Sequence, residues 1–451
     1  MARSDHIPRL LVLAAFWLVP LPAPAQVGGI RIDAQGLLQL ARVTDPSRSS
    51  STPDAPAAIA RRHATRKISL KRLEQTIAEH LDANRPLPPE VRYLAGLQRI
   101  DEVLLLPSDS DVVLVGPAAG WTRLASGEVV DPDSRRPVLE LDDLALALRF
   151  ASSEKRTVSF IGCSIDPTRD GVKNYTRYMK RLSGALNAQS IPRILTGMQR
   201  AMGHQRVRVF GVPADSRFAC KLVAADYRLK RVAMGFDRPP IKGLLNYMDL
   251  LTRANRSAVR RQHRFWFVAT HEGISRSPDG RAWRLTGPGL AVRTAAAGSG
   301  DGPADGDLDR DRDKKASPVA RRMATNLTEK FPQLARHIPV FGELDNLVRL
   351  SVAAEIALHA PLGASEGRWQ SQVLVDADRY RRRTSPAPKR VPSLAAVRKA
   401  RGRNWIFSVS GGVKVEPPPV RLKSFGTVDR RLEPRVEAAR PRATTGSWWW
   451  D

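Results

Sequence analysis

Between residues 157 and 238 the chain runs twice through one order of elements. Val158-Ser159-Phe160-Ile161-Gly162 is an apolar run, Cys163-Ser164-Ile165-Asp166-Pro167-Thr168 breaks it, and a polar, helix-like segment follows to about Leu186. Residues 207–212 then alternate like a strand, Pro213-Ala214-Asp215-Ser216 punctuates it, and residues 218–229 have helical spacing. Residues 232–236 complete the series as an expected strand. Alternation of this kind confines the chain to an α+β or α/β fold. Asp166 or Thr168, and Asp215 or Ser216, stand where a side-chain oxygen can cap the N–H groups of a following helix.

The flanking sequence fills in the frame. Residues 1–25 have the form of a secretory signal: Arg3 and Arg9, an apolar stretch from Leu10, and Ala23-Pro24-Ala25 before Gln26. The apolar stretch is shorter than the ~20 residues of a membrane-spanning helix, and no later run is longer, so the mature chain is expected to be exported without a transmembrane helix: periplasmic, cell-surface or secreted. Residues 26–100 suggest a helical N-terminal layer, with Ser69 capping a helix that carries Leu70, Leu73, Ile77 and Leu81. A central domain over 101–295 contains expected hairpins at 103–115, 121–130 and 274–285, a helix over 141–150 and a strand over 264–269. Residues 296–316 are rich in Gly, Asp and Arg and are expected as a flexible loop; 317–416 are expected to hold a helical pair and strands. The tail, 417–451, is Pro- and Arg-rich and expected to be disordered, with Trp448-Trp449-Trp450 frayed or dipping into a membrane interface.

Charge narrows the partners. The chain has 73 Lys and Arg against 45 Asp and Glu, a net charge of +28, and 58 of the basic residues are arginine. Such a field attracts polyanions, polyanionic envelope polymers among them; the plainer alternative is an excess spread over solvated faces. No specific nucleic-acid motif accompanies it. Two cysteines exclude a disulfide-dense scaffold and a four-cysteine zinc site. In an exported chain Cys163 and Cys220 have the option of one bridge; the other reading is two buried thiols.

The catalytic patterns are weak. Gly363-Ala364-Ser365-Glu366-Gly367 matches the serine-hydrolase elbow, but a helix, not a strand, is expected before it. Cys163 lacks a recognisable base among His204, His263 and His271. The aspartates from Asp301 to Asp313 put Gly306 at the sixth position of a calcium loop but Arg312 at the twelfth, where a glutamate is needed. No cofactor, metal or catalytic residue is therefore expected.

Several motifs in order resemble the planctomycete family of exported proteins known as domain of unknown function 1598. They include Gly28-Gly29-Ile30-Arg31-Ile32-Asp33-Ala34, Tyr93-Leu94-Ala95-Gly96-Leu97, Gly116-Pro117-Ala118-Ala119-Gly120-Trp121, Ile161 to Thr168, Gly211-Val212-Pro213-Ala214-Asp215 and Asp237-Arg238-Pro239-Pro240. Asp166, Pro167, Thr168, Pro213 and Asp215 are its marking turn residues; the basic stretch from Lys173 to Arg181 departs from it. The resemblance implies an exported protein with no assigned activity, and carries over no catalytic residue. The leading expectation is a non-enzymatic structural or binding protein of the cell envelope. The alternatives are an enzyme with Asp166, Asp215 or Asp237 at strand–helix junctions, or a polyanion-binding protein.

Overall fold

Pro339–His359 is the helix on which both halves of the fold are hung. Its proline stands in the first turn, where no N–H is needed. Apolar residues then surround the axis instead of forming one stripe, so the helix is buried all round, Glu343, Asn346, Arg349 and Glu355 included. The sequence spacing predicts an amphipathic stripe; the apolar positions between the stripe residues extend burial to every face.

In the computed structural model, residues 30–32, 38–40, 55–124, 128–154, 158–182, 188–253, 263–287, 289–296, 316–362, 367–399, 405–408, 413–415, 425–440 and 447–451 are described. The proposed signal, the aspartate-rich loop and Ser365 lie outside them.

Two sheets flank the helical layer. The six-stranded sheet runs in the order Leu290–Ala296, His263–Ala269, Val413–Val415, Ile161–Asp166, His204–Phe210, Arg390–Pro392. The seven-stranded sheet runs Thr427–Val428, Ile274–Arg276, Ala282–Leu285, Glu102–Leu106, Asp111–Ala118, His63–Ser69, Trp449–Trp450. Among the described residues only two ladders in these sheets are parallel, Phe267–Val268 against Val413–Lys414 and Ser275–Arg276 against Thr427–Val428; the other neighbours are antiparallel. The fold is therefore mixed α+β. The α/β alternative fails because Ile161–Asp166 and His204–Phe210, which open the two repeated units, pair antiparallel.

The central helix is shared lengthwise. Val340, Phe341, Leu344, Leu347 and Val348 pack in the core of the six-stranded sheet. Leu350, Val352, Ala353, Ile356 and Ala357 pack in the core of the seven-stranded one. Leu141–Ser152 bridges in the same way, with Leu144 and Leu148 in one core and Leu146 and Phe150 in the other. Arg217–Ala233 and Pro318–His337 complete the layer.

The hairpins at 102–118, 122–130 and 274–285 form as expected, as does the helix capped by Ser69, whose hydroxyl accepts from Arg72 N at 3.0 Å. Four expectations need correction. The apolar run expected over 158–162 is strand only from Ile161, and the strand continues through Asp166. The strand expected at 232–236 does not exist: Val232 and Ala233 extend the helix, which Gly235 stops at φ +74°, a conformation costly for other residues. The N-terminal layer is not only helical, because His63–Ser69 is a strand of the seven-stranded sheet.

The tail is the fourth. Its described residues are ordered, and they form the helix Glu433–Ala438 and the strand Trp449–Trp450, which pairs with Ile68 and Lys67. Charge burial gives the reason. Arg66 is fully buried and can remain so only with a counter-ion. Its Nε and Nη2 donate to Asp451 Oδ1 and Oδ2 at 2.7 and 2.9 Å, its Nη1 donates to Ala95 O at 2.7 Å, and it lies 4.5 Å from the Trp449 ring centroid. Trp448 is buried in the adjoining core. Asp451→Ala strands a buried guanidinium, and is expected to lower stability in urea unfolding by roughly 3 kcal/mol, whereas Asp133→Ala, at an exposed ion pair with Arg62, changes it by less than about 1 kcal/mol.

Candidate functional site

The two marking turns are occupied by structural work. Thr168 Oγ1 caps the first helix by accepting from Gly171 N at 3.0 Å, and Ser216 Oγ caps the second by accepting from Ala219 N at 3.1 Å. Asp166 does not cap; its carboxylate accepts from Arg208 and Arg264 at 2.8 and 2.9 Å and from Ser164 at 2.8 Å. Burial opposes its charge, and the hydrogen bonds from Arg208 and Ser164 outweigh this and hold it below the usual carboxylate range. Pro213 O accepts from Ser216, Asp215 pairs with Arg382, and Asp237 pairs with Arg228 and Arg231. No histidine bonds to these aspartates among the described residues: His263 is held by the Tyr247 hydroxyl at 3.0 Å and Ser317 N at 3.1 Å, and His204 is exposed.

Cys163 lies within the strand, not at its end, and faces Val209 and Val413 on the neighbouring strands. Cys220 lies in the Arg217–Ala233 helix, its Sγ 3.0 Å from Ser385 O. Both are buried free thiols, and burial pushes the Cys220 thiol up to about 12. Such groups are poor nucleophiles.

A buried charge cluster centres on Arg217, at the start of its helix. Its Nε lies 2.8 Å from Glu140 and its Nη2 2.7 Å from Glu343, while Nη1 donates to Asp143. Lys221 holds the second oxygen of Glu343 at 2.6 Å, and Arg383 holds Glu140 and Asp142, each at 2.6 Å. Tyr380 donates to Asp142 at 2.7 Å. Four carboxylates thus meet three cations. The misfit falls on Asp143, whose Oδ1 has no hydrogen-bond partner. Burial, reinforced by Glu140, Asp142 and Glu343 against the pull of Arg217, holds its carboxyl at about 7.

The concave site lies elsewhere, between the seven-stranded sheet and the helices Pro318–His337 and Pro339–His359. It is a cleft of about 690 Å³ lined by Arg99, Arg136, Arg284, Arg336, Arg349 and Arg435 against Asp101, Glu102, Glu329 and Asp345. Glycine at position 116 lets its wall close: a Cβ there would collide with the Arg99 carbonyl oxygen. Four of the arginines are paired with three carboxylates. Arg99 grips Asp101 at 2.5 and 3.0 Å; Arg284 and Arg435 share the two oxygens of Glu102; Arg349 binds Asp345 at 3.0 Å and three backbone carbonyls. Arg136 and Arg336 have no acidic partner among the described residues. Arg136 is half-buried; burial, and then the Arg99 and Arg336 guanidiniums, hold it below its ordinary value. A guanidinium does not shed its proton in a protein, so an incoming anion is what relieves it. Asp345 carries an unpartnered Oδ1 and a carboxyl raised by burial. Sequence reading misses this site because its residues come from separate stretches between Ala64 and Arg435, and a scattered arginine has no motif.

Residues 163–247 match the family model described as Protein of unknown function (DUF1598). The matched segment starts within the first strand, at Cys163, and takes in the rest of that strand–turn–helix unit, the second unit and Arg217, but none of the cleft's lining residues. No curated protein and no solved structure matches the chain.

The Asp143 proton makes stability depend on pH. The folded chain holds it up to about pH 7, whereas an unfolded aspartate releases it near 3.9. Its contribution is therefore full in acid and lost as pH rises through 7. Unfolding free energy is expected to fall by about 3 kcal/mol between pH 5 and 8; Asp143→Asn, a permanent mimic of the protonated acid, flattens that slope in denaturant titrations at the two pH values. Cys163 and Cys220 are expected to resist iodoacetamide in the native protein and to react, as two thiols, in guanidinium without reductant.

Proposed function

We propose that the protein carrying this family segment is an exported, non-enzymatic binding protein of the cell envelope, and that its ligand presents an anionic group to the arginine-lined cleft. The observation that carries this is Arg136: half-buried, without an acidic partner among the described residues, and crowded by Arg99 and Arg336. Export rests on the signal-like residues 1–25. No helix of the described residues is long and apolar enough to cross a membrane.

A binding role is favoured over catalysis by the fate of the candidate aspartates. Asp166, Asp215 and Asp237 are each held by arginine, which occupies oxygens a substrate would need. No cluster of three or more metal-ligating side chains occurs among the described residues.

Arginine binds carboxylate, sulfate and phosphate through paired N–H donors, and each such charge-assisted contact is worth roughly 1.5–3 kcal/mol. Sulfate, phosphate and galacturonate are therefore expected to raise the thermal midpoint above that in chloride of equal ionic strength. The double variant Arg136→Gln, Arg336→Gln is expected to lose that rise and to weaken calorimetric affinity by about tenfold or more. An equal rise in the variant overturns the reading.

A further inference from the structure

The family segment, which holds none of the cleft, carries a basic feature of its own. Between the strands Ile161–Asp166 and His204–Phe210 the chain does not turn tightly; it leaves the sheet as two helices, Arg169–Arg181 and Ile191–Met202. These pack on each other through a small cluster of their own, with Ile194 and Met198 buried and Tyr175, Tyr178, Met179 and Leu182 against them. Residues 167–210 contain nine Lys and Arg and one acid, Asp170. Arg169, Lys173, Arg177, Lys180 and Arg181 are all exposed, and none forms an ion pair among the described residues.

The spacing of these cations has a direction. Positions 169, 173, 177 and 181 recur every fourth residue, so they rise about 6 Å apart and form a stripe of about 18 Å that winds slowly round the helix. A row of fixed positive charges at this interval complements a linear chain bearing one anion per repeat unit. It is a poor fit to a bilayer, which needs an apolar face: Val172 is the one large apolar side chain of the hairpin that is exposed among the described residues. It is also a poor fit to single-stranded nucleic acid, which needs aromatic platforms, because Tyr175 and Tyr178 are spent on the internal cluster. We infer that the exposed face of the Arg169–Arg181 helix is a docking surface for a linear acidic polysaccharide.

The hairpin surface is independent of the cleft, since none of its residues lines it. The partner need not be enclosed: counter-ion release from the polymer supplies the driving force, so affinity falls steeply with salt.

The test separates a local surface from the global field. The triple variant Lys173→Gln, Arg177→Gln, Arg181→Gln is compared with Arg85→Gln, Lys242→Gln, Arg368→Gln, exposed cations elsewhere that change the net charge equally. Binding of heparin and polygalacturonate is followed across a salt series. The hairpin variant is expected to weaken both by about tenfold or more and to lower the slope of log affinity against log salt by about one per removed cation; the control triple is expected to stay within about threefold of wild type. Hydrogen exchange with heparin present is expected to protect the 169–181 amides of the wild type. Equal loss in both triples, no protection of that helix, or hairpin-dependent binding that is tighter to oligothymidylate or to phosphatidylglycerol vesicles than to either polysaccharide overturns the proposal.

Discussion

Arg217 is the residue whose environment the rest of the layer must respect. It joins Glu140 and Asp143 of the 140–152 stretch to Glu343 of the central helix, while Arg383 ties Glu140 and Asp142 to the segment that follows that helix. Charges withdrawn from water are expensive, and mutual attraction offsets the cost only when geometry is nearly complete. Here it is nearly complete, save for Asp143. The cluster therefore fixes how three helices approach one another, where apolar packing alone would tolerate sliding. Burial works against the Arg217 charge, and Asp143, Glu140 and Glu343 outweigh it, so the arginine stays protonated at any working pH. The adaptable member is the aspartate. A node with one more acid than base settles its imbalance by keeping a proton.

Much of the fold was legible because its elements obey local rules. The Ser69, Thr168, Ser216 and Ser317 caps each announce a helix whose hydroxyl duly accepts an orphan N–H. The 102–118 hairpin follows from two apolar runs around Pro107 and Asp109. The failures are equally local in origin. Val232-Ala233-Met234 is apolar enough for a strand, and nothing within five residues tells whether the preceding helix has ended. Asp142 and Asp143 look like ordinary first-turn acids for a helix dipole; that they are buried depends on Arg217 and Arg383, remote in sequence. Trp448 to Asp451 read as a low-complexity end because their partner, Arg66, stands at the other end of the chain.

The two basic features divide the arginine excess into different kinds of charge. In the cleft most guanidiniums are cross-linked to carboxylates, and the surplus is confined to Arg136 and Arg336 at a concave site. On the Arg169–Arg181 helix the charges are convex, hydrated and unpaired among the described residues. The first suits recognition of a group by shape and donor geometry; the second suits attraction that depends on ionic strength. Net charge alone does not distinguish them.

The Arg66–Asp451 contact spans 385 positions of sequence, and it lies on the edge of the seven-stranded sheet. Closing so long a loop adds little to the thermodynamic cost, since each doubling of length costs only about 0.6 kcal/mol. Its weight falls on time. While the chain is being synthesised from the N-terminus, His63–Ser69 waits with one edge open and Arg66 without its counter-ion until Trp449 to Asp451 emerge. The seven-stranded sheet is thus completed only after Trp449 and Trp450 have been made. A strand whose edge partner is made so much later stays open along that edge in the meantime, so a contact that adds little to the free-energy cost of folding adds much to the time before this sheet closes.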